Sequence, residues 1–219
     1  MEFNIKLLFV ITSMVLNFNA AAKEKISLLA PYDEWYFNFF YPDSLPTEVT
    51  YVELLDTDGI YYQFRTLAST NASPGSVGQW SEKVSGMSSV FNKAKNPPMS
   101  IHFCWDSVID KKEYETWITL AGDVWKLMLT PYSPPGGGSE KYYLRYLLIG
   151  LAPEGKVRVW LNKRDKPNIR LTDKQILIET VSGEKMEMCK GISRHDFSLG
   201  DDEYVLEFIK DKKYPYGNW

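Results

Sequence analysis

The chain has 219 residues and a formal net charge of −3 at pH 7, with 25 basic side chains against 28 acidic ones. That balance excludes a strong field drawing the protein to nucleic acid, and a hydrophobic content of 44 % excludes a disordered tail. No collagen, coiled-coil or polytopic membrane pattern occurs, and a chain this long buries roughly 70 % of its unfolded surface without metal or disulfide staples. Seven Trp and fourteen Tyr favour strands and half-buried sheet faces.

Residues 1–22 read as an export signal. Met1 to Lys6 ends in a positive charge, Leu7 to Phe18 is apolar, and Ala20, Ala21 and Ala22 supply a small-residue cleavage site before Lys23. The apolar run is shorter than the ~20 residues that span a bilayer; an uncleaved anchor is the alternative reading. Cleavage near Ala22 is expected to leave one β-rich domain over residues 23–219 in the periplasm. No Cys follows the apolar run to take a lipid, and no stable membrane insertion is expected. Export leaves two readings of Cys104 and Cys189, the two cysteines of the chain: a disulfide, or two buried free thiols.

Trp35 to Tyr41 alternates, with Trp35, Phe37, Phe39 and Tyr41 on one face. Val49 to Leu55 is a second predicted strand, and Asp56-Thr57-Asp58-Gly59 turns it back into Ile60, Tyr62 and Phe64. Ile60 stands where a calcium loop needs an oxygen ligand, so the two aspartates mark a turn. Residues 67–98 form a long irregular stretch rich in Ser, Gly, Asn and Pro, with Trp80 in its middle. Ile101, Phe103 and Trp105 then alternate against His102, Cys104 and Asp106, with Tyr114 to Leu120 as hairpin partner.

Asp123 to Leu129 reads as a short helix capped by Asp123 and stopped before Pro131. Ser133 to Ser139 is a Pro/Gly loop, and Tyr142 to Leu151 is a strongly apolar strand. Ala152-Pro153-Glu154-Gly155 turns the chain into Val157, Val159 and Leu161. Ile176 to Val181 and Glu184 to Cys189 are predicted to pair about Ser182-Gly183. Asp201 to Lys212 places Tyr204, Val205, Phe208 and Ile209 on one helical face, with Asp201 or Ser198 as cap. Hairpin connections imply antiparallel sheet. The expected fold is mainly β (or α+β): an antiparallel β-sandwich-like domain with one or two short helices, one of them C-terminal.

Chemistry is conspicuous by what is missing. No Gly-x-Ser-x-Gly elbow and no His-Glu-x-x-His pair occurs, and Gly136 to Gly138 lacks the Gly-Lys-Ser/Thr of a phosphate loop. A zinc site would need His102, His195 and both cysteines to converge, and their spacing gives no reason for it. Asp201, Asp202 and Glu203 read as the acidic first turn of a helix. No catalytic residue, metal or cofactor is expected. Trp80 has two readings: the loop folds back and buries it, or it anchors an interface.

Gly150-Leu151-Ala152-Pro153-Glu154-Gly155-Lys156-Val157-Arg158-Val159-Trp160-Leu161 resembles a hallmark of a bacterial family catalogued as domain of unknown function 2931. Tyr214-Pro215-Tyr216-Gly217-Asn218-Trp219 is similar to its carboxy-terminal signature, with Asn218 where Ser is usual. Ile101 to Trp105 with Ser107 and Tyr114, and Gly78-Gln79-Trp80, resemble two further blocks. The resemblance attaches no enzymatic activity. Some members resemble immunity proteins encoded beside lipase effectors of the type VI secretion system, which implies a protein partner, a secreted phospholipase or lipase, blocked by direct binding. On that reading loops 67–98 and 131–141 make the contact, with Trp80, Gln79, Tyr132 and Ser139 as partner-binding candidates. Gly150, Pro153, Gly155, Trp160, Pro215, Tyr216, Gly217 and Trp219 are then structural. Gly217 is expected to permit a bend that docks Trp219. The other reading is a cell-envelope protein that binds glycan or peptidoglycan through surface aromatics.

Overall fold

A computed structural model describes residues 28–164 and 167–219; the predicted export signal lies outside the described residues. In chain order these hold β1 (Trp35–Pro42), β2 (Thr47–Asp56), β3 (Tyr61–Phe64), β4 (Asn71–Ser73), β5 (Lys93–Ala94), β6 (Pro98–Ser107), β7 (Lys112–Leu120), α1 (Gly122–Leu129), β8 (Tyr146–Ala152), β9 (Lys156–Leu161), β10 (Ile169–Arg170), β11 (Ile176–Ser182) and α2 (Glu203–Ile209). The fold is mainly β. One sheet has the order β10-β9-β8-β1-β4, with β5 also on β1, and the other runs β11-β7-β6-β2-β3.

The second sheet is antiparallel throughout, as consecutive hairpins require. The first sheet is mixed: β1 runs parallel to β8 and to β4. β1 and β8 lie far apart in the chain, so no tight turn dictates their direction. β1 is also buried on both faces, which suits the centre of a covered sheet. The alternation across Trp35 to Tyr41 gives Trp35, Phe37 and Phe39 of the inner row, while Tyr41 is half-buried outside the core and Tyr36, Asn38 and Phe40 are buried too.

The inner rows meet in one core. Phe39 packs on Phe103 at 5.0 Å between ring centroids, and Phe37 on Phe64 at 5.1 Å. Trp105 stacks on Tyr114 at 4.6 Å and donates Nε1–H to Thr116 Oγ1 at 2.9 Å, so its one polar group is satisfied inside the core. α1 adds Val124 and Met128. The expected Asp123 cap is corrected to Ala121, whose N–H bonds the carbonyl of Gln175 at 2.8 Å; Asp123 sits in the first turn. For α2 the cap position falls on Asp202, without a side-chain bond, and Asp196 accepts from the N–H of Ser198 at 3.0 Å instead.

The outer row of β6 works as a set of clasps. Cys104 is bonded to Cys189, with Cα atoms 5.4 Å apart, which decides between the two cysteine readings. Asp106 Oδ2 accepts the N–H groups of Arg194 and His195 at 3.2 and 3.4 Å. Beside them the fully buried Glu115 of β7 accepts from the backbone of Glu187 and Cys189 through Oε2, at 2.7 and 3.0 Å, and from Met188 through Oε1 at 3.3 Å. These donors explain why Glu184 to Cys189 is not the predicted strand. Three successive N–H groups converge on one carboxylate, which a β-ladder does not allow, and a short 3₁₀ turn at Gly183–Lys185 replaces the hairpin.

The disulfide closes a loop of 85 residues, which restricts the unfolded chain by about 4.5 kcal/mol on a chain-entropy basis. The Cys104→Ser/Cys189→Ser double variant is expected to lose several kcal/mol in urea unfolding, and reductant is expected to lower the wild-type midpoint but not the variant's. Equal midpoints for the two proteins would contradict this.

Candidate functional site

The long loop after β4 is a strap laid across the outer face of the first sheet. Asn38 holds Met87 in both directions, Nδ2 to O and N to Oδ1, each at 3.0 Å. Glu82 Oε2 accepts from Trp160 Nε1 at 2.6 Å, and the carbonyl of Val84 accepts from Asn162 and Asn168 at 3.3 and 2.8 Å. Trp80 therefore does not project. Its half-buried ring packs edge-on against Phe40, Trp160 and Trp219, at 5.6, 5.6 and 5.2 Å. The loop folds back and half-buries Trp80, as one of its two readings expects.

Three of the sequence blocks singled out above converge here. A Cβ on Gly150 would lie 2.7 Å from Trp80 Cζ3 and 2.9 Å from Phe40 Cζ. The tail closes over the other side: the N–H of Asn218 bonds the carbonyl of Gly78 at 2.8 Å, and Gln79, itself exposed, forms a backbone bridge with Asn218. Trp219 is buried beside Leu45 and Ala152 and donates Nε1–H to the carbonyl of Pro215 at 3.0 Å. The expected bend at Gly217 is corrected. Positive φ falls on Tyr216, at 66°, and Gly217 is small because the Trp219 ring lies against it. In the β8–β9 turn, Pro153 is buried, and Gly155 has φ of 69° with Tyr114 2.8 Å from where its Cβ would be. Asp110 ties this turn to the tail, accepting from the N–H of Glu154 and the hydroxyls of Tyr114 and Tyr214, each at 2.9 Å.

The titratable cluster on the opposite face is also a clasp. His102 stacks on Trp117 at 4.3 Å, its Nε2 bonds Glu115 Oε1 at 2.7 Å, and its Nδ1 faces Glu53 Oε2 at 4.0 Å. Both ring nitrogens are turned to carboxylates rather than toward a nucleophile. Burial alone would push the Glu115 carboxyl up; the N–H groups of Cys189 and Glu187, with His102 and Met188, outweigh it and hold the group below the ordinary carboxylate range. His102, Glu115 and Cys189 lie close enough to suggest a metal set, but the Cys189 sulfur is already bonded to Cys104. His195 sits apart, edge-on to Phe197 at 5.0 Å.

What remains on the surface is at the end of the first sheet, before β8. Tyr132 is half-buried and pairs through its backbone with Tyr142, and the loop carrying Ser139 is exposed. Behind it a pocket of about 360 Å³ is lined by Tyr32, Tyr143, Arg145, Tyr146, Lys141 and Arg164, among others. Arg164 lies over the Tyr142 ring at 4.8 Å, Arg145 over Tyr32 at 6.0 Å, and Tyr32 against Tyr143 at 5.4 Å. Tyr146 joins this pocket to the strap through a 3.0 Å bond between its hydroxyl and Ser88. On either side of Ser88 the strap exposes Met87, Val90 and Phe91. Sequence reading missed these residues: Tyr143, Arg145 and Tyr146 fall inside a predicted strand, and periodicity has no grip on an irregular loop. The usable signal was three large apolar residues in an otherwise polar segment.

A model of the family described as "Protein of unknown function (DUF2931)" matches residues 19–217. The chain belongs to this DUF2931 family. No curated protein and no solved structure matches it.

Three variants test these contacts. Gly150→Ala is expected to cost about 2 kcal/mol by forcing Trp80 off β8, with a red-shifted tryptophan emission, and deletion of residues 214–219 is expected to lower the Tm further; unchanged emission and Tm would contradict the packing. For Glu115, whose folded carboxyl is held low, stabilisation is present above the ordinary value of 4.5 and is lost as pH falls through the depressed one. Glu115→Gln is expected to cost about 3 kcal/mol at pH 7, and the gap to wild type should narrow below pH ~4 in paired urea titrations. Burial raises Asp106 instead, so its ionisation opposes stability as pH rises, equally in both proteins.

Proposed function

We propose that this DUF2931 protein is an exported, non-catalytic binding protein that neutralises a secreted phospholipase or lipase by covering it, acting in the periplasm. The observation that carries the reading is the trio of exposed apolar residues Met87, Val90 and Phe91 on a strap tied through Ser88 to Tyr146, which lines the pocket with Tyr143, Arg145, Tyr32 and Arg164. Tyr and Arg beside exposed apolar side chains are the residue types that dominate binding energy at protein interfaces. Three cations, Lys141, Arg145 and Arg164, line the pocket against one acid, Glu140, so the partner surface should be acidic. The strap is held at several points by side-chain bonds, so little order has to be gained on binding. The immunity assignment rests on the family resemblance together with the apolar leader ahead of Lys23.

The test is capture from the native host with the tagged chain exported to the periplasm and crosslinked. A stoichiometric lipase-like protein is expected with the wild type. Phe91→Asp and Arg145→Glu should each weaken that complex tenfold or more, about 1.4 kcal/mol per tenfold, while the Tm stays unchanged. Capture that both variants leave intact would remove this surface from the reading. Recovery with purified sacculi, reversed by soluble glycan, would replace it with envelope binding.

A further inference from the structure

The strap does not seal the sheet it crosses. Between Trp80 on one side and the Asn38–Met87 clasp on the other lies a second cavity, of about 580 Å³, on the outer face of β1 and β8. Its floor is the buried side chains of Phe40 and Leu148, and its walls include Val84, Met87 and Ala72. Several polar groups of the lining are engaged with neighbouring chain. Asn38 is spent on both backbone groups of Met87, Ser73 Oγ bonds Ser76 Oγ at 2.9 Å, and Ser76 Oγ also accepts the N–H of Ser81 at 3.0 Å. What faces the space is therefore mostly hydrocarbon, in a frame fixed by hydrogen bonds.

The lining holds one charged side chain, the exposed Lys83 at its rim. It takes part in none of the ion pairs among the described residues. A half-open apolar groove with a single cation at its rim is complementary to one apolar chain ending in one negative charge. At about 30 Å³ for a water-sized atom, the volume takes roughly twenty non-hydrogen atoms.

We propose that this cavity binds a single-chain anionic amphiphile, its chain on Phe40 and Leu148 and its head group at Lys83. This site shares Met87 with the partner surface but opens on the sheet beneath the strap, and the inference stands whether or not that surface binds a lipase. Both a free fatty acid and a lysophospholipid offer this chemistry, and the experiment separates them.

The exported, mature chain is stripped of lipid and titrated by calorimetry with laurate, with lauroyl lysophosphatidylglycerol and with dodecyltrimethylammonium, each below its micelle concentration; native mass spectrometry reads stoichiometry. One anionic ligand per chain is expected, and the cationic amphiphile should bind at least tenfold more weakly. The tighter of the two anionic ligands identifies the source. Ala72→Trp, at an exposed wall position, should abolish uptake, and Lys83→Glu should weaken it tenfold or more, both with wild-type Tm. Absence of saturable binding by either anionic ligand would overturn the proposal, as would binding that both variants leave unchanged. Equal uptake of the cationic amphiphile would overturn the role of Lys83 and with it the anionic head.

Discussion

Trp80 reaches β8 because Gly150 carries no side chain, and much of the cover of the first sheet depends on that contact. With the ring seated, the strap is drawn down over Phe40 and Trp160, and Trp219 finds a surface to close against. The sheet beneath can then be apolar on both faces. Without the strap, Phe40, Leu148 and Trp160 would lie open to water, a contiguous apolar patch of the kind that drives aggregation. The contact is an exclusion rather than a strong bond. It needs an empty volume at one position, and a single methyl group is enough to remove it.

The second sheet solves the same problem with different chemistry. Its outer row is polar, so the segment that covers it is held by a disulfide and two buried carboxylates instead of by rings. Glu115 is charged in a place water does not reach, which would be costly alone. Three N–H groups and His102 compensate, and the charge then fixes the path of residues 187–189. Both covers thus turn irregular chain into rigid surface. A binding protein benefits directly, because loops already fixed in place lose less entropy when a partner arrives.

Elements controlled by neighbouring residues were legible in the sequence. The alternation of Ile101, Phe103 and Trp105 against His102, Cys104 and Asp106 describes both faces of β6, and Asp56 holds its turn as read, with Oδ1 accepting from Asp58 and Ile60 at 2.9 Å each. What failed was controlled from a distance. The direction of β1 is set by a partner far along the chain. Met186 and Met188 alternate like a strand, but the N–H groups a strand would use are taken by Glu115. The blocks around Trp80, Gly150 and Trp219 were visible as patterns, while their convergence needs the tertiary fold.

That convergence also changes where function is to be sought. A conspicuous tryptophan in a Gly/Ser loop invites an interface assignment, yet its ring is packed in T-shaped contacts with Phe40, Trp160 and Trp219. Its Nε1–H is buried with no hydrogen-bond partner among the described residues. A buried donor left unpaired costs on the order of 1–3 kcal/mol, so the packing around the ring has to outweigh it. The opposite holds for Met87, Val90 and Phe91, which give up burial altogether while the backbone beside them is tightly held. Stability explains the first arrangement. It does not explain the second, in which three apolar side chains stay in solvent on a segment whose backbone at Met87 is held on both sides by Asn38. Exposure maintained against the hydrophobic effect, on a strap fixed by side-chain bonds and near a cationic, tyrosine-lined pocket, is the observation on which the proposed partner surface rests.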